Sequence, residues 1–420
     1  MGGSPLFAGG LQMGTGKITE KRTEEQRRAE ALALLKHILD IPSVNGKDRE
    51  QETAVYLAEY LKRKGMETRV QLIDEHHGNV IGVLRGKTEE TILFNGHLDT
   101  VPYGDINEWN TNPAVCAEQD GRLYARGASD MKSGLAVMAF VLGELAESGC
   151  VPQKTIVFAG TCDEERGGLG AKEIIKEYPD LFPKLLLIGE PTSCQAGVAQ
   201  KGCIWLKLSV SGKTSHGAEP WQGINALEQG FGLLADLREE LMREEHPVLG
   251  RSTLQVTMAE GGIAPNMTPD RAQFLADIRI VPPLNEKEVL NRLECLIEKR
   301  CEVYNGGLSF TPEISNYRMP VETGQKNQWL HRLKGFIGDN AGETGINYFT
   351  DASIFLTAWP DSPALLFGPG EPQMCHKPNE YVEISKYFEA IRVMEKFCWY
   401  IRSVYKELHA DHETGAADNK

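Results

Sequence analysis

The chain has 420 residues, more than one ordinary hydrophobic core accommodates, so two domains are expected. Lys and Arg number 45 against 59 Asp and Glu, which gives a net charge of −14. That balance disfavours a nucleic acid or an anionic membrane surface as a partner, because both would repel the protein. The longest apolar stretch also falls far short of the roughly 20 residues that a membrane span requires.

Nine cysteines are scattered along the chain and form no Cys-x-x-Cys pair. An odd, dispersed set of this kind is typical of reduced thiols, so a cytoplasmic location is expected. The N-terminal residues lack the basic region and apolar core of a secretion signal, and residues 1–20 are interpreted as a disordered or tag-like extension. The polar residues 409–420 are interpreted as a disordered tail.

The first half of the chain alternates helices with strands. Apolar residues recur at helical spacing from 23 to 39, and further helices are predicted at 50–64, 131–148 and 170–178. Strands are predicted at 67–73, 79–84, 91–94, 154–159 and 184–188. This alternation predicts an α/β fold with a mixed, mostly parallel sheet and helices on both faces.

A different pattern begins near residue 200. An alternating strand at 203–210 precedes a helix at 225–243, strands at 252–259 and 271–280, a helix at 286–304 and a short strand at 308–311. This β-α-β-β-α-β order is that of a split-βαβ domain complete in itself. The α/β pattern then resumes with a helix at 326–337, a strand at 364–367 and a helix at 384–408. We therefore predict one domain built from 21–199 and 318–408, interrupted by an inserted domain at 200–317.

Possible metal ligands lie at the ends of the first buried strands. His97 follows the strand at 91–94, and Asp99 is close enough in sequence to hold the other imidazole nitrogen. Asp130 directly precedes the helix at 131–148. Each residue also fits a purely structural role, His97 as a hydrogen-bonded core histidine and Asp130 as a helix N-cap.

Further acids and a second histidine follow later strands. Asp163, Glu164 and Glu165 come after the strand at 154–159, and adjacent acids repel one another unless cations hold them, although a loop facing solvent also explains them. Glu190 follows the strand at 184–188, and His376 follows the strand at 364–367. Ligands of open α/β sheets bind at the carboxyl ends of the strands, so these side chains are expected at one edge.

Five side chains make up the predicted ligand set: His97, Asp130, Glu165, Glu190 and His376. Two imidazoles and three carboxylates without a thiolate suit a pair of borderline cations, namely two Zn²⁺ with Co²⁺ or Mn²⁺ as possible substitutes. Of two adjacent glutamates, one can bind a metal while the other stays free as a base.

These segments resemble the motifs of the co-catalytic zinc exopeptidases and deacylases. That family includes acetylornithine deacetylase, succinyl-diaminopimelate desuccinylase, the aminoacylases and glutamate carboxypeptidase. The resemblance rests on five motifs in the same order: Gly-His97-Leu-Asp99-Thr-Val-Pro, Ser-Asp130-Met-Lys-Ser-Gly, Asp-Glu164-Glu165, Gly-Glu190-Pro-Thr and His376-Lys-Pro-Asn-Glu. It implies that 21–199 and 318–408 form a catalytic zinc domain and that 200–317 forms a lid and dimerisation domain.

The resemblance also implies a role for each residue of the site. Asp99 would orient a ligand histidine, and Glu164 would be the general base for a metal-bridging hydroxide and would then protonate the leaving amine. The ligands would divide into His97 and Glu190 on one zinc, Glu165 and His376 on the other, and Asp130 bridging both.

The inserted domain carries three further segments that resemble the family. His216 would contribute to the oxyanion site, often across the interface of a homodimer, and Asn266 would assist substrate binding. Arg279 would pair with the substrate carboxylate, a task that suits the planar guanidinium fork. Structural roles remain open, with His216 as a surface turn residue and Arg279 as part of a strand salt bridge.

The leading hypothesis is a metal-dependent amide hydrolase of amino-acid metabolism that removes the acyl group from a small N-acyl amino acid. A dipeptidase or carboxypeptidase on the same scaffold is the alternative, because the metal ligands do not distinguish these substrates. A catalytically silent binding protein is the third possibility. Such a protein should lack a ligand or the base, whereas this sequence contains the five ligands and Glu164.

Overall fold

The computed structural model of the chain describes residues 22–403. The predicted extension at 1–20 and the predicted tail at 409–420 lie outside the described residues. Two compact units are present. The first comprises the residues up to Val198, Thr323–Thr344 and the residues from Thr350 on, and the second comprises Ala199–Glu322 and Gly345–Phe349. The inserted segment was predicted at 200–317, so the second unit has a later carboxyl boundary and a short additional piece.

The helices and strands of both units are numbered in chain order. The helices are α1 (Glu24–Leu39), α2 (Gln51–Arg63), α3 (Lys132–Glu147), α4 (Leu169–Glu177), α5 (Ala226–Leu241), α6 (Glu286–Val303), α7 (Gln328–Ile337), α8 (Ala352–Ala358) and α9 (Ile384–Ser403). The strands are β1 (Glu67–Leu72), β2 (Gly78–Leu84), β3 (Thr88–His97), β4 (Ala117–Gln119), β5 (Arg122–Tyr124), β6 (Lys154–Thr161), β7 (Leu186–Ile188), β8 (Ala196–Gln200), β9 (Gly202–Ser211), β10 (Glu245–His246), β11 (Gly250–Arg251), β12 (Thr253–Gly261), β13 (Arg271–Ile280), β14 (Ser309–Arg318), β15 (Val321–Glu322), β16 (Glu343–Ile346), β17 (Ala364–Leu366) and β18 (Tyr381–Glu383).

The first unit is built on a mixed sheet in which β1, β2, β6, β3, β7, β17 and β8 follow one another. The central strands β6, β3, β7 and β17 are mutually parallel, whereas β1 and β2 are antiparallel to their neighbours. Strands β2, β6 and β7 are buried along nearly their whole length, which requires cover on both faces of the sheet. The predicted α/β fold is therefore confirmed.

Helix α3 lies at the centre of the first unit. Its residues from Lys132 to Leu142 are all buried, and it packs against α1, α9 and β3. A helix that is apolar all round belongs in a core and not on a surface. Helix α1, by contrast, buries only part of its surface and begins at a capping box in which Thr23 and Gln26 satisfy each other's backbone N–H groups.

The second unit is a four-stranded antiparallel sheet in the order β12, β13, β9, β14. Helices α5 and α6 pack together against this sheet, and the core between them is formed mainly by Leu, Ile and Ala side chains. The predicted order of strands and helices is present, with the short hairpin β10–β11 in addition. In residues 22–403, no helix combines the length and the hydrophobicity that a membrane crossing demands.

Candidate metal centre

The predicted ligands converge at one edge of the larger sheet. Strand β3 ends with His97, and Glu165 follows β6 by four residues. Glu190 comes two residues after β7, and His376 lies in the segment after β17. Because these four strands are parallel and adjacent, their carboxyl ends meet, and the segments that follow them share one edge.

The ligand atoms form two groups that overlap at Asp130. His97, Asp130 and Glu190 each offer an atom within 4.8 Å of the others, and so do Asp130, Glu165 and His376. In the first group, His97 Nε2 lies 3.1 Å from Asp130 Oδ1. In the second, His376 Nε2 lies 3.1 Å from Glu165 Oε1 and 3.4 Å from Asp130 Oδ2. Asp130 therefore presents one carboxylate oxygen to each group.

Two of the structural roles considered for these residues do not match this geometry. Helix α3 begins after Asp130 with no side-chain cap, so Asp130 is not its N-cap. Glu164 is 6% exposed, and only 8% of the Glu165 side chain is accessible, so these acids do not form a loop that faces solvent.

The site concentrates charge in a buried space. Burial, together with the neighbouring carboxylates, raises the pKa of both Glu164 and Glu190 well above the usual range. Hydrogen bonds that the His376 ring donates to the carboxylates of Asp130 and Glu165 raise the pKa of His376 to about 10. Burial lowers the pKa of His97, but the hydrogen bond with Asp130 and the charge of Asp99 outweigh it, and the net effect is a strong rise. Carboxylates crowded in this way favour a bound cation.

The chemistry of the donor atoms fits a pair of metal ions. Glu190 Oε2 and Glu164 Oε1 are buried and have no hydrogen-bond partner among the described residues. A buried carboxylate oxygen is costly to leave unpaired, and a cation supplies the missing partner. Imidazole nitrogens and carboxylate oxygens are also the ligands that zinc and similar borderline cations accept.

Asp99 contacts the site in a way that its motif did not predict. Its backbone carbonyl, at 2.9 Å, is the partner of His97 Nδ1, while the nearest carboxylate oxygen is 3.8 Å away. The carboxylate instead accepts hydrogen bonds from the backbone N–H groups of Glu164 and Glu165, both at 3.1 Å. Asp99 therefore holds the loop that carries both glutamates and orients His97 through its main chain.

Sequence reasoning missed Asn45, which supports the same loop. Its Nδ2 donates to Asp99 Oδ2 at 2.8 Å and lies 3.2 Å from Asp163 Oδ1. Asn45 lies after α1 in a polar segment with no ligand-like pattern, so a single sequence gives no signal for this role. Arg126 and Glu380 were also missed: Arg126 donates to Glu380, which accepts from the backbone N–H of Asp130.

Two glycines set the approach of α3 to the end of β7. A Cβ added at Gly134 would lie 1.7 Å from the carbonyl oxygen of Gly189 and 2.7 Å from its carbonyl carbon. Only a residue without a side chain permits this contact. Gly134 follows Asp130 by four residues and Gly189 directly precedes Glu190, so backbone contact determines how closely these two ligand segments approach.

His216 and Asn266 lie together in the second unit, on the turns beyond β9 and before β13. His216 forms an antiparallel bridge with Met267, and Gly217 N donates to Asn266 O at 2.7 Å. The His216 side chain is exposed, and its Nδ1 accepts from the backbone N–H of Ala218 at 3.1 Å. This geometry fits a surface turn and leaves Nε2 facing outward as a donor or acceptor.

Arg279 lies at the other end of the same sheet. Strand β13 pairs Arg271 with Ser211, next to the His216 turn, and Arg279 with Cys203. Arg279 lies eight residues after Arg271 along β13, which corresponds to about 26 Å of extended strand. Arg279 donates to Asp277 through Nε at 2.7 Å and Nη2 at 3.0 Å, so one edge of its guanidinium is occupied by a strand salt bridge.

Comparison with known proteins places the chain among metal-dependent hydrolases. A probable succinyl-diaminopimelate desuccinylase of Staphylococcus aureus (strain MSSA476) is 26% identical over 400 residues, covering 87% of this chain and 96% of the relative. An acetylornithine deacetylase of Shigella sonnei (strain Ss046) is 29% identical over 361 residues, covering 82% and 90%.

A solved structure shares the fold. The M20 family metallo-carboxypeptidase Sso-CP2 from Sulfolobus solfataricus superimposes with a TM-score of 0.70 at 19% identity, covering 89% of this chain and 99% of that one. The sequence model of peptidase family M20/M25/M40 matches residues 93–400, well over half of the chain. The protein belongs to peptidase family M20/M25/M40 and is a hydrolase of the metallopeptidase and amidohydrolase type.

Proposed function

We propose that the protein is a two-metal amide hydrolase that removes the acyl group from a small N-acyl amino acid. The observation that carries the proposal is the pair of ligand groups that share Asp130, since one carboxylate faces a histidine on each side. A single-ion site would not need this arrangement. The relatives named as a desuccinylase and a deacetylase support an acyl amino acid as substrate.

The proposed ligand assignment follows the two groups. His97 and Glu190 would hold one ion, Glu165 and His376 the other, and Asp130 would contribute to both. Zinc is the proposed metal, with cobalt or manganese as substitutes. When bound, the ions lower the pKa of a water molecule and polarise the scissile carbonyl.

Glu164 is the proposed general base. It is adjacent to a proposed ligand but belongs to neither group, and its buried Oε1 has no hydrogen-bond partner among the described residues. That oxygen can accept a proton from the attacking water and transfer it to the leaving amine. Asp99 supports this role, because its carboxylate holds the backbone of Glu164.

His216, Asn266 and Arg279 are proposed to act on the substrate, with His216 acting in a homodimer. His216 and Arg279 lie at opposite ends of one sheet, separated by about 26 Å of strand, so one small substrate does not reach both in the same chain. If both contact the substrate, two copies must supply them. Asp277 occupies the Nε edge of Arg279, which leaves Nη1 for the substrate carboxylate.

A dipeptidase or carboxypeptidase is the second candidate. The Sulfolobus structure, described as a metallo-carboxypeptidase, shares this fold. The chemistry at the metal centre would be the same, so only the walls of the substrate pocket decide between the two.

A cytoplasmic location is proposed from the cysteines. All nine lie within the described residues, and none takes part in a disulfide. Reduced cysteines are typical of cytoplasmic proteins.

The decisive experiment combines metal analysis with the variants Glu164→Ala and Glu165→Ala. The wild-type protein is expected to hold two ions. Glu164→Ala should keep both ions but lose about 10²- to 10⁴-fold in kcat, the usual contribution of a general base. Glu165→Ala should instead lose metal, because it removes a proposed ligand.

Acetylated and succinylated amino acids should be assayed beside dipeptides. Faster hydrolysis of the acyl amino acids is expected, whereas a preference for dipeptides would favour the second candidate. Near-normal turnover by Glu164→Ala would reject Glu164 as the base, and a wild-type protein without metal would reject the whole centre.

A further inference from the structure

Glu380 is a fully buried carboxylate that contacts the loop before α3. Its Oε1 accepts hydrogen bonds from the backbone N–H groups of Ser129 at 2.8 Å and Asp130 at 2.9 Å. Its Oε2 accepts from the backbone N–H of Gly127 at 3.1 Å and from Arg126 Nη1 at 2.7 Å. Glu380, which is 0% exposed, therefore accepts hydrogen bonds from three backbone N–H groups and from one buried guanidinium.

Arg126 extends this contact to two other parts of the site. It is 4% exposed, and its guanidinium lies 5.0 Å from the centre of the Trp109 ring. Arg126 Nη1 also donates to the backbone carbonyl of Lys377 at 3.1 Å, and Nη2 donates to that of Pro102 at 3.1 Å. Lys377 is next to His376 in sequence, and Pro102 follows His97 by five residues.

The pair thus joins the three segments that carry His97, Asp130 and His376. This carboxylate determines the path of the backbone before α3, because the three backbone N–H groups that donate to it would lose their hydrogen-bond partner without it. The position of Asp130 depends most on this carboxylate, since its own N–H is one of the four donors. Asp130 contributes to both ligand groups, so a displacement would affect both ions.

We propose that Glu380, held by Arg126, is a positioning residue that sets the affinity of the centre for its metal ions. This inference rests on the proposed metal centre. The Glu380 carboxylate accepts from the backbone N–H of Asp130 but belongs to neither group of predicted ligands. Its effect on the metal ions therefore passes through the backbone of Asp130. Residues that orient metal ligands typically contribute 10- to 100-fold to metal affinity or activity.

The variant Glu380→Gln tests the proposal with little change in shape. Glutamine keeps one acceptor oxygen but presents an NH₂ group to two of the four donors, so half of the contacts are lost. The zinc-loaded, full-length protein would be titrated with a chelator of known affinity. Glu380→Gln is expected to release zinc at a free-metal level about 10- to 100-fold higher than the wild type, and KM is expected to stay close to the wild-type value while kcat falls.

Glu383→Gln is the matched control. Glu383 is the last residue of β18, three residues after Glu380, and pairs with Arg122 Nη2 at 3.2 Å, with both side chains partly exposed. This substitution removes an Arg–Glu pair between the neighbouring strands β5 and β18 without changing a contact of the Asp130 loop. Zinc retention and kcat should equal those of the wild type.

If Glu380→Gln does not yield folded protein, Glu380→Asp replaces it, since aspartate keeps the charge but is too short to hold all four donors. Zinc retention equal to the wild type in either folded variant would overturn the proposal. Failure of both variants to fold would also overturn it, because the carboxylate would then serve folding alone. A wild-type protein that retains no zinc would instead reject the proposed function.

Discussion

The two units of the molecule arrange their chemistry-bearing residues in opposite ways. In the first unit, parallel strands end side by side, and the segments after them bring the predicted ligands from positions 97 to 376 to a single site. In the second unit the strands are antiparallel, and successive turns lie at alternate ends of the sheet. His216 and Arg279 consequently lie far apart although only 63 residues separate them in sequence.

This difference shows when order along the chain predicts a site. At a parallel edge, the residue that follows each strand is enough to predict convergence. On an antiparallel sheet, two residues meet only if their register agrees, and register is not readable from motif order. Variants of Asp130, His216 and Arg279 test whether this contrast between the two units has functional consequences.

The largest effect is expected for Asp130→Ala. If this variant behaved as the wild type, the contrast between the two units would have no functional meaning. Asp130 faces His97 with one oxygen and His376 with the other, so its removal should weaken the binding of both ions. Loss of metal charge stabilisation worth several kcal/mol corresponds to a fall in kcat/KM of about 10³-fold or more. Metal content and steady-state kinetics provide the measurement. The exposed Asp180→Ala should behave as the wild type, and two ions retained by Asp130→Ala would show that the convergence is not a metal centre.

A smaller effect is expected for His216→Ala. Metal content should not change, because His216 is in the second unit and in neither ligand group. Loss of one donor to a developing oxyanion typically lowers kcat by about 10²- to 10³-fold. The exposed His331→Ala, at the surface of α7, is the control for substitution of a histidine.

Mixing two inactive variants would sharpen this test. If His216 acts across a dimer, a mixture of His216→Ala and Glu164→Ala should recover activity, because each mixed dimer contains one site with both residues. Random pairing would restore about a quarter of the wild-type rate. Recovery should be absent if His216 acts within its own chain, and light scattering would show whether the variants still form dimers.

The smallest effect is expected for Arg279→Lys. The ammonium keeps the charge but loses the fork, so KM for a substrate with a carboxylate should rise about 10-fold while kcat changes little. A substrate in which that carboxylate is an amide should show no difference between variant and wild type. Arg271→Lys, on the opposite end of β13, is the matched control, and an unchanged KM for Arg279→Lys would reject a contact between Arg279 and the substrate carboxylate.

Much of the fold could be predicted from periodicity. The helix predicted at 131–148 is observed at Lys132–Glu147, and the strand predicted at 271–280 is observed at Arg271–Ile280. Helix α8 was missed because nearly all of its seven residues are buried, so no amphipathic pattern marks it. The last strand of the second unit was predicted at 308–311, but β14 runs to Arg318. Pro312 and a bulge after Ile314 obscure its alternation, and an edge strand tolerates both.

The residues of the site that could bind a metal or transfer a proton were predictable from the sequence. Imidazoles and carboxylates at strand ends are visible in the sequence, whereas their supports are not. Glu380 follows His376 by four residues and Arg126 precedes Asp130 by four, but nothing in either position shows that the two side chains meet. Asp99 was noticed, yet the preference of its carboxylate for the Glu164 loop depends on a contact between β3 and β6 that only the fold supplies.

The contact between Gly134 and Gly189 limits how this protein can be redesigned. The two segments there touch backbone to backbone, so a side chain at Gly134 would push the Asp130 and Glu190 loops apart. Engineers who want a new substrate range should therefore leave this junction intact and vary residues of the second unit, where exposed turns accept change. The reaction and the choice of substrate could then be altered separately in one chain.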